Sequence, residues 1–427
     1  MNNINLQNHL IKFSTILFCL IPIALITGPF IPDLFLVLII FSSFGVLFLK
    51  KDFSIFKNKF FYAFIVFWLI LTINSFFTFN FSSIKSASLY FRFFLFGIVI
   101  FLLISYNKNI LEHLLKIFLI IFFVLFFDSL YQFIFSTNLI GFVYDNPQNF
   151  RITSFFGEDE VLGSYISRFL PILIFLIVNS QNNLIKRYKL TLIFFYLIAS
   201  FIIVILSGER TSIALFFLFT LFLLFSSINL RKLIIFPILL SLLIGGSLIY
   251  FNETLKNRII SSTLNQLGVY EGSERLVLFS KTYEGHYKIA LNMFKEKPIF
   301  GHGAKMFRFY CSKEKNITKE LIDVNACTTH PHNFYAQFLS ETGLVGTSIL
   351  MFVFIYILKE FCLNLLHQIR YGKQKLSDEA ICILSVFFIT FFPFLPSGNF
   401  FNNWLSIIIY YPMGFLLYLI KYKKYNV

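Results

Sequence analysis

Charge is scarce in this chain. Asp, Glu, Lys and Arg together make up 13 % of its 427 residues, whereas 57 % are hydrophobic and the mean hydropathy is +0.77. Soluble domains carry about a quarter charged residues, so this composition excludes a soluble protein of the same size. Glycine-rich phosphate loops are lacking as well, and without a nucleotide-binding Gly pattern an ATP-driven pump is disfavoured. None of the five cysteines has a CxxC partner, which argues against zinc. No internal repeat at a solenoid period and no low-complexity tail is evident. The first apolar stretch has neither a basic leader nor a small-residue cleavage site, so it is expected to stay as a span.

What fills the space is apolar. Sixty-three Phe, with abundant Ile and Leu, produce many runs of roughly 20 residues, the length an α-helix needs to cross about 30 Å of hydrocarbon. Spans are expected near 13–29, 33–49, 60–78, 88–105, 114–135, 161–179, 189–206, 211–228, 233–250, 343–359, 379–395 and 403–420. The fold class is therefore an all-α polytopic membrane protein of about twelve transmembrane helices. Its organisation is 1–250 with helices one to nine, a loop over 251–342 with short helices, and 343–427 with helices ten to twelve.

Positive charge alternates between the breaks. Lys50, Lys51, Lys57 and Lys59 fall in one, Lys108 in another, then Lys186, Arg187 and Lys189, then Arg231 and Lys232. The bias returns with Lys359, Arg370, Lys373 and Lys375, and again with Lys421, Lys423 and Lys424. By the positive-inside rule both termini are cytoplasmic, and 29–33, 79–87, 136–160, 207–210, 251–342 and 396–402 face outward. Topology thus accounts for much of the formal charge of +15, and no nucleic-acid partner is needed. The cations of the long outer loop suit a phosphate-bearing ligand or plain solubility.

Cys311 and Cys327 share that loop. A bridge between them would close a loop of about 17 residues and stabilise it by roughly 3 kcal/mol; two unpaired thiols are the alternative.

The polar run Thr329-His330-Pro331-His332-Asn333 precedes an amphipathic stretch with Phe334, Tyr335, Phe338 and Leu339. Pro331 suits the first turn of a helix there. Unpaired N–H groups at a helix start disfavour imidazolium, so His332 would stay neutral, as a general base or donor, or else act only as a cap. His330 lies before the proline and is the weaker candidate. His286 opens a segment of helical apolar spacing that ends at Pro298 and Gly301, read as a helix on the membrane surface. His286, His302, His330 and His332 lack the spacing of one helix face, and neither a metal nor another cofactor is expected.

Arginines near the outer face mark sites or ion pairs. Arg210 sits in the short turn Ser207-Gly208-Glu209-Arg210 and marks a site, is a surface anchor, or is the partner of Glu209. Arg151 and Arg168 bracket Glu158, Asp159 and Glu160; they pair with these carboxylates or hold a lipid phosphate bidentately. Arg275 and Arg308, in the long loop, carry the same two readings.

In this order the features resemble the O-antigen ligase and O-antigen polymerase family of bacterial membrane glycosyltransferases. The resemblance covers nearly the whole chain and rests on the spans, the Gly208-Glu209-Arg210 turn, Pro298-Ile299-Phe300-Gly301-His302-Gly303, and His332-Asn333 followed by Glu341-Thr342-Gly343. It implies a GT-C-like helical fold in the inner membrane, with a long periplasmic loop over a lateral cavity. It further implies a polyprenyl-diphosphate-linked glycan as donor and a lipid A-core or glycan acceptor. By resemblance, Arg210 would hold the diphosphate, with Arg275, Arg151 and Arg168 as further ligands, and His332 would activate the acceptor hydroxyl. Asn333, His286, His330, Arg308 and Glu341 would support them. Where the family carries an Arg in the loop before the motif His, this chain has Lys281, Tyr283 and His286.

Ligation, repeat-unit polymerisation and transfer of glycans to protein share this scaffold. Ligation is the expectation, because the loop ends in a compact His-Pro-His-Asn element and no large extra C-terminal domain follows. A non-enzymatic transporter of lipid-linked sugars would show two similar halves with polar groups near mid-membrane, whereas here polarity gathers in one late outer loop.

Overall fold

The computed structural model describes residues 3–57, 59–143, 151–267, 269, 280–313, 319, 321 and 325–422. The first half is built of helices α1 (Asn3–Ala24), α2 (Phe30–Lys50), α3 (Lys59–Phe76), α4 (Phe81–Ser88), α5 (Phe91–Tyr106) and α6 (Ile110–Phe135). Then come α7 (Leu162–Asn179), α8 (Asn183–Arg187), α9 (Lys189–Leu206), α10 (Arg210–Ser226) and α11 (Ile228–Phe251). The long loop contributes α12 (Glu253–Lys256), α13 (Ser262–Gln266), α14 (Lys281–Glu296) and α15 (Phe307–Tyr310). The chain ends in α16 (Phe334–Tyr371), α17 (Asp378–Thr390) and α18 (Asn403–Tyr422). No strand occurs among the described residues, as expected where every backbone N–H must be satisfied within its own segment in hydrocarbon.

All twelve apolar stretches are helical. Among the described residues nine helices are long and apolar enough to cross a membrane, and α3 and α10 are shorter apolar helices. α17 has only 13 residues, about 20 Å at 1.5 Å per residue, and reaches less far than the 379–395 stretch suggests. The chain leaves the helix after Thr390 because Phe391–Ser397 serves the site described below. α16 runs the other way. Its 38 residues, about 57 Å, exceed any bilayer core, and Gly343 (φ 62°, ψ −160°) breaks it into a short piece before the kink and a longer one after it.

α7 is the axis of the bundle. Of its span 83 % is buried, against 22 % for α11, and it packs on α6, α9, α10 and α17. The outward faces stay greasy, with Phe41, Phe48, Phe236, Leu243 and Phe352 exposed as lipid-facing side chains are.

The long loop has a small core of its own, made by Ile289, Ala290, Met293, Phe307, Cys311, Leu321 and Ala326. α14 turns its apolar face into this core and onto α16, with Ile289 and Met293 fully buried. The sequence reading of a helix lying on the membrane surface is thereby corrected: an amphipathic stripe needs an apolar partner, and protein supplies it. Cys311 and Cys327 are bonded in this core, with Cα atoms 5.2 Å apart. Cys311→Ser is expected to loosen the outer loop by about 3 kcal/mol. Faster proteolysis within 281–330 would register it; an unchanged cleavage rate would show the clip to be dispensable.

Candidate functional site

Two sequence motifs lock together beneath the site. The N–H of His302 donates to Ser340 O (3.0 Å) and that of Gly303 to Glu341 O (2.8 Å), while the N–H groups of Leu344 and Val345 donate to Pro298 O (2.8 Å) and Ile299 O (3.2 Å). Neither motif tolerates a side chain at the crossing. A Cβ on Gly301 (φ +69°) would lie 2.5 Å from the Glu341 carbonyl carbon, and one on Gly343 (φ +62°) 2.4 Å from Ile299 O. Glu341 completes the joint, accepting from the Phe307 N–H (3.0 Å) and the Gln337 amide (2.9 Å). Gly343→Ala is expected to cost at least about 2 kcal/mol, read as lost thermal stability of the membrane-extracted protein. Wild-type stability in that variant would mean that the crossing is not under steric constraint.

On this joint stands the His-Asn element. Asn333 caps α16: its Oδ1 accepts from the N–H of Tyr335 (2.9 Å) and Ala336 (3.1 Å), and its Nδ2 donates to Pro393 O (2.8 Å) and Leu395 O (3.3 Å). The helix therefore starts at Phe334, three residues later than a Pro331 at its first position requires, because Asn333 takes the cap. His332 is left outside the helix at φ +52°, a conformation uncommon for a side chain of its size, and Ser397 N–H holds its carbonyl (2.8 Å).

Three imidazoles meet here. His330 and His286 lie 4.1 and 5.2 Å from His332 between ring centroids, and Tyr283 lies 5.7 Å from His332 and 5.9 Å from His286. His286 is buried on α14 with Nδ1 at 2.7 Å from Ala326 O, so Nδ1 carries the proton there. Burial, then the neighbouring His286, lowers His332 to about 4; burial, then His332, lowers His330 to about 3. His286 is lowered as well, chiefly by burial. All three are thus neutral at pH 7. The expectation of a neutral His332 agrees, but its cause is burial against other imidazoles more than the helix start. His302 lies apart, fully buried, with Nε2 2.9 Å from Met293 O and 3.6 Å from Glu296 Oε2. No group of three or more His, Cys, Asp or Glu arranged to hold a metal occurs among the described residues.

Arginines flank the imidazoles. Arg210 opens α10 and donates Nη1 to Thr263 Oγ1 (3.1 Å); Tyr283 and Arg151 are its electrostatic neighbours. Glu209 is not its partner, because that carboxylate accepts the α7 N–H groups of Gly163 (2.7 Å) and Ser164 (3.2 Å) and the Ser212 hydroxyl (2.9 Å). Arg258 donates to Gly208 O (3.3 Å), in the same turn. Arg151 pairs with Glu160. Its segment is pinned from below, where Ser154 donates its hydroxyl to Asp128 and its N–H to Gln132 (2.7 Å), and Asn138 donates to Ser154 O (2.9 Å).

Other expected residues sit elsewhere. Arg168 finds no partner in Glu158, Asp159 or Glu160; it is buried in α7, donates to Ser164 O (3.4 Å), and has Glu209 as its carboxylate neighbour. It lines a small cavity with Phe334 and Ser397, directly under the His332 element. Arg308 acts electrostatically on His330 and Glu341. Arg275 falls outside the described residues. Arg258 was not singled out for the site in the sequence, and Tyr283 only as standing where the family carries an Arg, although Tyr283 and His286 stand three apart, on one helix face.

A lateral apolar groove of about 520 Å3 opens between α6 and α11, lined by Phe133, Leu243, Ile244, Leu248 and Phe251, with Ser247 and Asn252. Asn252 caps α12, and the helical run it starts carries Arg258 and Thr263 to Arg210.

No curated protein matches the chain. A family model described as O-antigen ligase matches residues 195–351, from mid-α9 past the Gly343 kink, and so includes Arg210, Tyr283, His286, His330 and His332. Over that stretch, this all-helical multi-pass membrane protein carries a domain similar to the O-antigen ligase family.

Proposed function

We propose that the protein is a glycosyltransferase that moves a glycan from undecaprenyl diphosphate to an acceptor hydroxyl, with lipid A-core as acceptor, on the periplasmic side of a bacterial inner membrane. Both termini are then cytoplasmic. The observation that carries this reading is Tyr283, which has the neutral His332 on one side and Arg210 within electrostatic reach.

In this reading Arg210, with Arg151, takes the diphosphate, and the apolar groove beside α11 takes part of the polyprenyl tail. Arg168 adds buried positive charge below His332. His332 accepts the proton of the acceptor hydroxyl while that oxygen bonds to the anomeric carbon. The bond from that carbon to the diphosphate oxygen breaks in line, with inversion, and polyprenyl diphosphate leaves. Guanidinium groups absorb the charge that develops on the leaving group, so the reaction asks for no divalent metal. Asn333 and Glu341 hold the His332 element and its base; burial, then His286, keeps the imidazole neutral, and His330 packs against it.

Complementation tests this reading. The gene would be placed in two strains, one lacking its ligase and one its polymerase, and lipopolysaccharide ladders compared. Capped lipopolysaccharide restored in the first strain is the expected result. A ladder restored only in the second makes the protein a polymerase, and failure in both, with glycan found on protein, makes it a protein O-oligosaccharyltransferase.

A further inference from the structure

A second group of cations lies away from Arg210, where the outer loop sits on α3 and α4. The loop docks through the Ala304 N–H, which donates to Ser75 Oγ (3.3 Å), and through Gly303, packed so closely on Thr78 and Ser83 that a Cβ there would lie 2.5 Å from Thr78 Cγ2. This docking sets Lys305, at φ +59°, in the electrostatic field of Lys85, Arg92 and Arg308. One of the four is already neutralised: Arg92 is held bidentately by Asp33, at 3.0 and 3.1 Å. Glu341, the carboxylate that faces Lys305 among the described residues, has its oxygens engaged by the Phe307 N–H and Gln337. Among the described residues, Lys85, Lys305 and Arg308 therefore stand as three cations gathered without matching anions.

The surroundings say what would match them. Phe76, Phe77, Phe79 and Phe81 at the α3–α4 turn are 55–91 % exposed, and Phe300 is 53 % exposed beside the docked loop. Apolar side chains facing outward next to clustered Lys and Arg form the pattern of a membrane interface that holds acidic headgroups. A soluble anion would need the cations alone and would gain nothing from the aromatic rim. Burial first, and then Arg308, holds the Lys305 ammonium below its ordinary value.

We infer that Lys85, Lys305 and Arg308 bind the phosphate-bearing headgroup of a membrane lipid at the α3–α4 turn. Arg308 is also an electrostatic neighbour of His330, and the elements that carry these cations differ from those of the Arg210 turn. This inference goes beyond the glycosyl-transfer reading and does not require it, since binding alone tests it.

The protein carries its own reporter. It has two tryptophans, and Trp68 donates Nε1 to Ser88 O (3.1 Å) at the end of α4, within one turn of Lys85. In full-length protein carrying Trp404→Phe, brominated phosphatidic acid is expected to quench Trp68 at about a tenfold lower concentration than brominated phosphatidylcholine. Lys85→Gln should remove the preference and Lys85→Arg retain it; Lys85 is exposed, so neither change threatens the fold. Equal quenching by the two lipids would overturn the inference. So would loss of the preference on adding millimolar inorganic phosphate, which would make this a free-phosphate site.

Discussion

His332→Ala should leave the protein in the membrane and lower glycan transfer roughly 10²–10⁴-fold, the usual worth of a positioned general base, or about 2.7–5.4 kcal/mol of barrier. The pH profile separates chemistry from mere structure. Only the neutral imidazole accepts a proton, and burial lowers His332 to about 4, so activity is kept above that pH and lost as pH falls through it. The acid limb of kcat/KM, which reports the free enzyme, should therefore lie near pH 4 instead of near 6.5. A bound diphosphate brings negative charge toward the ring and should move the limb of kcat upward. Stability follows the same group with a different window. The unfolded chain takes up its proton near pH 6.5 while the folded one does not until about 4, so stability declines as pH falls across that interval. Near-wild-type transfer by the alanine variant would remove His332 as the base.

Arg210 should be nearly as sensitive. Truncation to alanine is expected to cost roughly 10²–10³-fold in transfer, the scale of one preorganised donor to developing charge. Arg210→Lys should recover only part of this, because an ammonium is a point charge and cannot grip a diphosphate with two parallel N–H groups. The local structure makes this variant informative. Glu209 is occupied by the start of α7, so replacing Arg210 breaks no ion pair with it, and the single hydrogen bond to Thr263 is lost at small cost. Membrane yield and melting should stay near wild type while transfer falls. Equal activity of the lysine variant and the wild type would reduce Arg210 to a surface anchor.

Sequence and structure disagree in instructive places. The 251–342 loop stood out as the polar module, yet α14 within it was assigned to the membrane surface. Its stripe of Ile289, Ala290 and Met293 is a signal for any apolar partner, and periodicity does not say whether that partner is lipid or protein. Arg168 was given Glu158, Asp159 or Glu160 as partners because they are near in sequence. Its carboxylate neighbour is Glu209, some 40 positions on, brought there by the packing of α7 against α10. Tyr283 was noted only as standing, with Lys281 and His286, where the family carries an Arg, because a lone tyrosine on an amphipathic helix has no distinguishing spacing. Only contact with His332 makes it part of the site.

The sequence by itself determined the solvent this chain lives in, its all-helical form, and the two motifs around Gly301 and Gly343. Hydrocarbon demands long apolar helices, and a left-handed backbone in close contact demands glycine, both of which are local requirements written in local residues. Only the tertiary structure decided which polar groups share one place. His286 and His332 are 46 positions apart, and Arg210 lies further still from His332. Their meeting follows from α14 docking on α16 and from the Arg258 and Thr263 contacts to the Arg210 turn, and so do the neutral imidazoles. Burial and proximity are properties of the packed chain, and no spacing in the sequence encodes them.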